Sequence, residues 1–88
     1  MQARRNISDE PMEDKPTNAL PGIGDILSKR MKEQGFEKAS QIYGQFLVLN
    51  RDYVRFENWM RENFEADRNN ATKCYDALDL YFRNFGQK

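Results

Sequence analysis

The run Leu-Pro-Gly-Ile-Gly at residues 20–24 has the form of a tight hairpin that leads directly into a helix. Gly22 can adopt backbone conformations that other residues rarely reach. Gly24 has no Cβ that would hold a ligand away from the main chain. The first N–H groups of the following helix have no partner within the helix, and the helix dipole places partial positive charge there. Such a site is suited to binding an anion, above all a phosphate.

The same run is typical of a helix-hairpin-helix motif. Ile23 is expected to turn inward and anchor the hairpin, while the small Ser28 and the apolar Met31 allow two helices to pack closely. A hairpin of this kind grips the DNA backbone rather than the bases, so it predicts duplex binding without sequence preference. Lys29 and Arg30 follow one helical turn later and are expected to reach flanking phosphates. Two alternatives remain open: the run is a plain glycine-containing turn between two helices, or it belongs to a helix-hairpin-helix module that binds only protein.

The overall charge does not help this chain to find nucleic acid. Its 88 residues include 14 basic and 14 acidic side chains, so the formal net charge is zero. No long-range field therefore draws the chain toward DNA. DNA binding must depend on the local arrangement at the hairpin.

The residues available for catalysis are few. The chain has no histidine and a single cysteine, Cys74, which excludes Ser-His and Cys-His nucleophiles and a zinc site built from paired cysteines and histidines. We expect Cys74 to be a small buried hydrophobe in a protein of a reducing compartment. Neither enzymatic activity nor a cofactor or metal is expected. No apolar run approaches the roughly 20 residues that span a bilayer, so no membrane insertion is expected either.

Apolar spacing predicts helices over residues 25–34, 38–49, 52–64 and 69–85, with a short helix before Pro11 as a further option. Together these segments predict an all-α fold, a compact bundle of about five helices in a single domain over residues 1–88. The polar residues 1–19, with prolines at 11 and 16, are expected to form a partly extended N-terminal arm.

Particular residues mark the predicted helix ends. Gly35 lies where a glycine commonly ends a helix, Asn50 or Asp52 is expected to cap one helix start, and Asp67 or Asn69 the next. Gly44 falls inside a predicted helix at a cost of roughly 1 kcal/mol relative to alanine. That cost suggests a close backbone approach at Gly44, such as that of another helix.

The wider sequence resembles the barrier-to-autointegration factor family. The residues that carry the resemblance are Glu-Pro-Met at 10–12, Lys-Pro at 15–16, Gly-Ile-Gly at 22–24, Gly-Phe-Glu-Lys-Ala at 35–39, Gly-Gln-Phe-Leu-Val-Leu at 44–49, and Trp59. They keep the family's order along nearly the whole chain, and the run at 44–49 is the most specific of them. The resemblance implies a SAM-domain-like fold and a homodimer that presents one hairpin on each side and so bridges two duplexes. It further implies a role in chromatin organisation and nuclear envelope assembly, in the nucleus and secondarily in the cytoplasm, and a groove that binds LEM-domain proteins.

The hairpin and the resemblance together assign residues to three surfaces. The expected DNA-binding residues are Gly22, Ile23, Gly24, Ile26, Lys29, Arg30, Lys15, Arg4, Arg5, Arg68 and Thr72. The expected dimer interface contains Gly44, Leu47 and Val48. The expected partner groove contains Val48, Asn50 and Arg55.

Several positions depart from the family pattern. Ala3 and Thr72 stand where the family has basic DNA contacts, and Arg4, Arg5 and Arg68 are the candidate substitutes. In the groove Asn50 replaces a lysine and Arg55 an apolar residue, which should weaken LEM-domain docking. The family's N-terminal phosphorylation switch is expected to be absent or moved, because Ser8 is the nearest hydroxyl.

These departures leave a second hypothesis open. In it the chain is a dimeric protein-interaction module with weakened DNA binding that modulates a related family member, for example as a heterodimer. The loss of basic residues at Ala3 and Thr72 favours this hypothesis, and the intact Gly22-Ile23-Gly24 run opposes it.

Overall fold

The computed structural model describes residues 11–12 and 14–86. It contains four α-helices, α1 (Asp25–Glu33), α2 (Ala39–Val48), α3 (Tyr53–Phe64) and α4 (Arg68–Tyr81). A short 3₁₀ turn, Thr17–Ala19, precedes α1, and a π-helical turn, Phe82–Gly86, follows α4. Within these residues the only β-type pairing is an isolated bridge between Pro16 and Lys38. The predicted all-α class is confirmed, and the helix considered before Pro11 lies outside the described residues.

The helix ends follow from local hydrogen bonding. Gly35, at φ +93°, donates its N–H to the Lys32 carbonyl, and Phe36 donates to the Met31 carbonyl at 2.8 Å, so α1 ends in a Schellman motif. Of the alternatives weighed for the later caps, the aspartates are used. Asp52 accepts the Arg55 N–H at 3.0 Å and Asp67 accepts the Asn70 N–H at 2.8 Å.

The last helix differs from its predicted span of residues 69–85. It begins one residue earlier, because the cap is Asp67, and its α-helical part ends at Tyr81. The π-helical turn Phe82–Gly86 carries the chain onward. The apolar spacing continues through this wider turn. Periodicity alone therefore does not distinguish the α-helix from the π-helical turn that follows it.

The core lies between the four α-helices and is rich in aromatic rings. Its fully buried side chains include Ile42, Phe46, Phe56, Met60, Phe64, Cys74 and Leu78. The rings of Phe46 and Phe56 meet edge to face at 5.9 Å, and those of Trp59 and Phe64 at 5.1 Å. Such contacts add about 0.5–1.5 kcal/mol per pair beyond area burial, so they stabilise the packing of the core.

The described part of the N-terminal arm is fastened to the bundle. Met12 is buried, and its N–H donates to the hydroxyl of Tyr81 at 3.2 Å. The Lys15 carbonyl accepts the Ala39 N–H at 2.9 Å, which ties the arm to the start of α2. The 3₁₀ turn is then held against α1, since the hydroxyls of Thr17 and Ser28 lie 2.5 Å apart.

Candidate nucleic-acid interface

The hairpin joins the 3₁₀ turn to α1 and is anchored from within. Leu20 and Ile23 are buried, and the Ile23 N–H donates to the Leu20 carbonyl at 3.2 Å. Ile23 therefore turns inward as expected, so only its backbone can face a ligand. Met31, one of the residues expected to permit close helix packing, is fully buried.

Gly22 fixes the hairpin against the start of α4. Its φ of +84° lies in the left-handed region, and a Cβ added there would lie 2.3 Å from the carbonyl oxygen of Asn70. Both the backbone conformation and the close approach of α4 therefore require glycine at this position. The hairpin therefore packs against α4 as well as leading directly into α1.

At position 24 neither the backbone conformation nor a close neighbour requires glycine. Its φ of −92° is open to any residue, and a Cβ added there would meet no described atom within 4 Å. Gly24 is the N-cap of α1, and the Ser28 N–H donates to its carbonyl at 2.9 Å. The N–H groups of residues 25–27 precede this first helical bond, and Gly24 has no side chain to cap them. The protein thus exposes backbone donors at the positive end of α1 with open space before them.

A groove of about 570 Å³ adjoins these donors. It is lined by Gly24, Asp25, Ile26, Leu27, Arg30, Glu65, Ala66, Asp67 and Asn70. The apolar side chain of Ile26 is 71% exposed beside it. Three of the lining residues are carboxylates, which oppose an anion, whereas the backbone donors at α1 attract one. The balance of charge around the groove therefore depends on the cations nearest the hairpin.

Arg30 is less available for phosphate than predicted. Its Nη1 donates to the carbonyl oxygen of Phe64 at 2.9 Å and lies 3.8 Å from the Glu65 carboxylate. Phe64 is the last residue of α3, so Arg30 satisfies one of the free carbonyls at that helix end. Lys29 and Arg68 are exposed, and Lys15 is half-buried.

Thr72, one of the expected DNA-binding residues, contacts α3 through its side chain. Its hydroxyl is 2.8 Å from the hydroxyl of Tyr53, so its side chain faces α3. Successive residues on a helix are about 100° apart, so the neighbouring position meets the hairpin instead. Arg4 and Arg5, the other candidate substitutes, lie outside the described residues.

Sequence reasoning missed Lys73. A Cβ placed on Gly22 would lie 3.2 Å from the Lys73 Cβ, which puts the base of this lysine beside the hairpin. The side chain is exposed and has no hydrogen bond or ion pair with any residue that the structure describes. No local pattern reveals this, because the face of α4 that meets the hairpin is set by tertiary packing.

A second surface carries the predicted dimer and groove residues. Leu47 is 40% exposed and Val48 is 71% exposed on α2, and Val54 is 61% exposed at the start of α3. A Cβ added at Gly44 would meet no described atom of the protomer within 4 Å, so the described residues of one protomer do not supply the close approach inferred at Gly44. Asn50 and Arg55 are both exposed.

The described residues offer little to catalysis or metal binding. Complete burial raises the pKa of the Cys74 thiol, which disfavours the thiolate and hence nucleophilic chemistry. No group of three or more potential metal-ligating side chains occurs in the part of the chain that the structure describes. Of its helices, none combines the length and apolar character that crossing a bilayer requires.

Comparison with known proteins places these features in a family. The family model described as Barrier to autointegration factor matches residues 1–85. The chain is similar to Barrier-to-autointegration factor of Mus musculus, with 43% identity over 77 residues that cover 88% of this chain and 86% of the mouse protein. It is also similar to the proteins of that name from Drosophila melanogaster and Danio rerio, at 39% and 40% identity. Each of these two alignments covers 96% of this chain and 93% of the relative.

Proposed function

The chain belongs to the barrier-to-autointegration factor family, and we propose that it binds double-stranded DNA without sequence preference and bridges duplexes as a homodimer. In this proposal it is a non-enzymatic nuclear protein that organises chromatin and takes part in nuclear envelope assembly. Its DNA ligand is the phosphate backbone.

The observation that carries the proposal is the open, uncapped start of α1 at Gly24. A phosphate oxygen accepts N–H bonds at about 2.9 Å, and no described atom lies within 4 Å of where a Cβ on Gly24 would be, so the space beside this N-cap is open. Gly22, pressed against Asn70, keeps those donors in place before any ligand arrives. Backbone donors carry no sequence information, so binding through them is independent of base sequence. The site also needs few charged side chains, which fits a chain of zero net charge.

Bridging requires two such hairpins in one particle. Each protomer has one hairpin, and we propose that the surface formed by Gly44, Leu47 and Val48 joins two protomers. Two facts support this surface. Its apolar side chains are uncovered in the protomer, and the glycine leaves room for another helix to approach α2.

The second candidate function is a dimeric protein-interaction module that modulates a relative. It is favoured by the carboxylates of Asp25, Glu65 and Asp67 around the groove, which repel DNA, and by the attachment of Thr72 to α3. We place it second because these features lower affinity without blocking the donors at Gly24. For LEM-domain proteins we propose weak binding, because Arg55 adds an exposed charge to the predicted groove, which contains the exposed Val48.

A gel-shift assay with two unrelated duplexes across a salt series tests the proposal. We expect equal affinity for both duplexes, a steep loss of affinity with salt, and large complexes in which protein links two differently labelled duplexes. Light scattering should give twice the 10.4 kDa mass of one chain. A dimer that leaves both duplexes unshifted at low salt would favour the protein-interaction module instead.

A further inference from the structure

The Cβ of Lys73 lies beside the hairpin, 3.2 Å from where a Cβ on Gly22 would be. Asn70, one helical turn before it, lines the groove and presents its carbonyl to Gly22. Residues three apart share a helix face, and helical side chains lean toward the helix N-terminus. The Lys73 side chain therefore extends over the turn that contains Asn70, toward the hairpin.

We propose that Lys73 binds a DNA phosphate at the hairpin and supplies the positive charge that Thr72 does not. This inference rests on the proposed DNA-binding function and adds a residue to that site. Thr72 is held by Tyr53 on the side facing α3, at a hydroxyl-to-hydroxyl distance of 2.8 Å. Position 73 therefore offers a cation whose Cβ lies beside the hairpin, whereas the side chain of Thr72 contacts α3.

The surrounding charges make Lys73 important. Arg30 also borders the groove, but its guanidinium is bound to the Phe64 carbonyl and lies 3.8 Å from the Glu65 carboxylate. Lys73 has no such attachment to the described residues. Its flexible four-carbon stem and compact ammonium suit a point contact with phosphate. We infer that it offsets the carboxylates of the groove when DNA arrives.

The effect of removing Lys73 can be estimated from counterion release. Each phosphate neutralised on duplex DNA contributes a slope of about −0.9 to the dependence of log affinity on log salt. A contact that acts through counterion release alone is therefore worth about 15-fold in affinity at 0.05 M salt, about 8-fold at 0.1 M and about 4-fold at 0.2 M. Lys73→Gln should lose affinity by these factors, without a change in sequence preference.

The experiment compares the salt dependence of duplex binding for the full-length dimer and four variants. Lys73→Gln should lower the magnitude of the slope by about 0.9, and Lys73→Arg should restore it, because the charge is kept. Arg55→Gln is the matched control, since it also removes one exposed charge but lies about 13 Å along α3 from the end near the hairpin. Arg68→Gln tests the substitute suggested by sequence, and the inference requires that Lys73→Gln lowers the slope whatever the slope of Arg68→Gln. Circular dichroism and light scattering confirm that each variant is a folded dimer.

The outcomes separate this inference from the proposed function. Wild-type binding with an unchanged slope in Lys73→Gln would overturn the role of Lys73 and leave DNA binding intact. Loss of slope in Arg68→Gln but not in Lys73→Gln would assign the contact to Arg68 and also overturn the inference. Failure of the wild-type dimer to bind any duplex would overturn the proposed function itself.

Discussion

Replacing Gly24 by aspartate should stabilise the fold while it lowers the affinity for DNA. The position is an N-cap with extended backbone and no neighbour within 4 Å of an added Cβ. Aspartate caps both α3 and α4, where Asp52 and Asp67 accept the N–H three residues on. By the same geometry the new carboxylate would accept the N–H of Leu27.

The expected gain in stability has two sources. Aspartate is better than glycine at an N-cap by a few tenths of a kcal/mol, and replacing glycine at an accessible φ stabilises by about 0.4–1 kcal/mol through the unfolded state. The free energy of unfolding should therefore rise by about 0.5–1.5 kcal/mol. A change of about 1 kcal/mol raises Tm by roughly 4–8 °C in a domain of this size.

The expected loss in DNA affinity follows from the same capped donor. Each hydrogen bond to a charged group is worth about 1.5–3 kcal/mol, so losing one phosphate contact lowers affinity by about 10- to 150-fold. The carboxylate adds repulsion to this loss. Gly24→Asn is the matched control, because it caps the same donor without the charge and should lose less affinity than Gly24→Asp.

Urea denaturation and fluorescence anisotropy with a labelled duplex measure the two effects separately. Wild-type DNA affinity in both variants would refute the reasoning that phosphate binds the backbone at Gly24. A lower free energy of unfolding in both would show instead that the fold itself needs glycine at this position.

Three further predictions concern other residues. Gly22→Ala should lower the free energy of unfolding by about 2 kcal/mol or more, since its left-handed φ alone costs roughly 1–2 kcal/mol and its Cβ would meet the Asn70 carbonyl at 2.3 Å; an unchanged urea midpoint would contradict this. Gly44→Glu should leave the protomer folded by circular dichroism but halve the mass in light scattering, and a stable dimer would refute the assigned interface. The Cys74 thiol should resist a thiol reagent at pH 8 in the native protein and react after denaturation, because burial raises its pKa and so lowers its thiolate fraction; native reaction at the rate of free cysteine would argue against its burial.

The sequence was informative where structure depends on local chemistry. The hairpin at residues 20–24, the inward turn of Ile23 and the helix end at Gly35 follow from residue type and spacing over a few positions. The helices of the core follow from apolar periodicity. For the N-caps of α3 and α4 the sequence leaves two candidate residues each, because asparagine and aspartate are nearly equal at an N-cap.

The surroundings of the hairpin depend on tertiary contacts and were less predictable. Thr72 and Lys73 are adjacent in sequence, and only the packing of α4 shows that one meets Tyr53 and the other the hairpin. The sequence predicts that Arg30 reaches a phosphate. In the structure its guanidinium donates to the carbonyl of Phe64, which is 34 residues away in sequence. Gly44 predicted a close backbone approach, and no described residue of the protomer supplies one.

The most direct test of the central claim is an amide spectrum of ¹⁵N-labelled protein titrated with a short duplex of arbitrary sequence. The account predicts that the largest changes in chemical shift fall on the amides of Asp25, Ile26 and Leu27, with the same pattern for an unrelated duplex. Hairpin amides that stay unmoved, while the changes fall elsewhere, for example around Val48 on α2, would contradict phosphate binding at the start of α1.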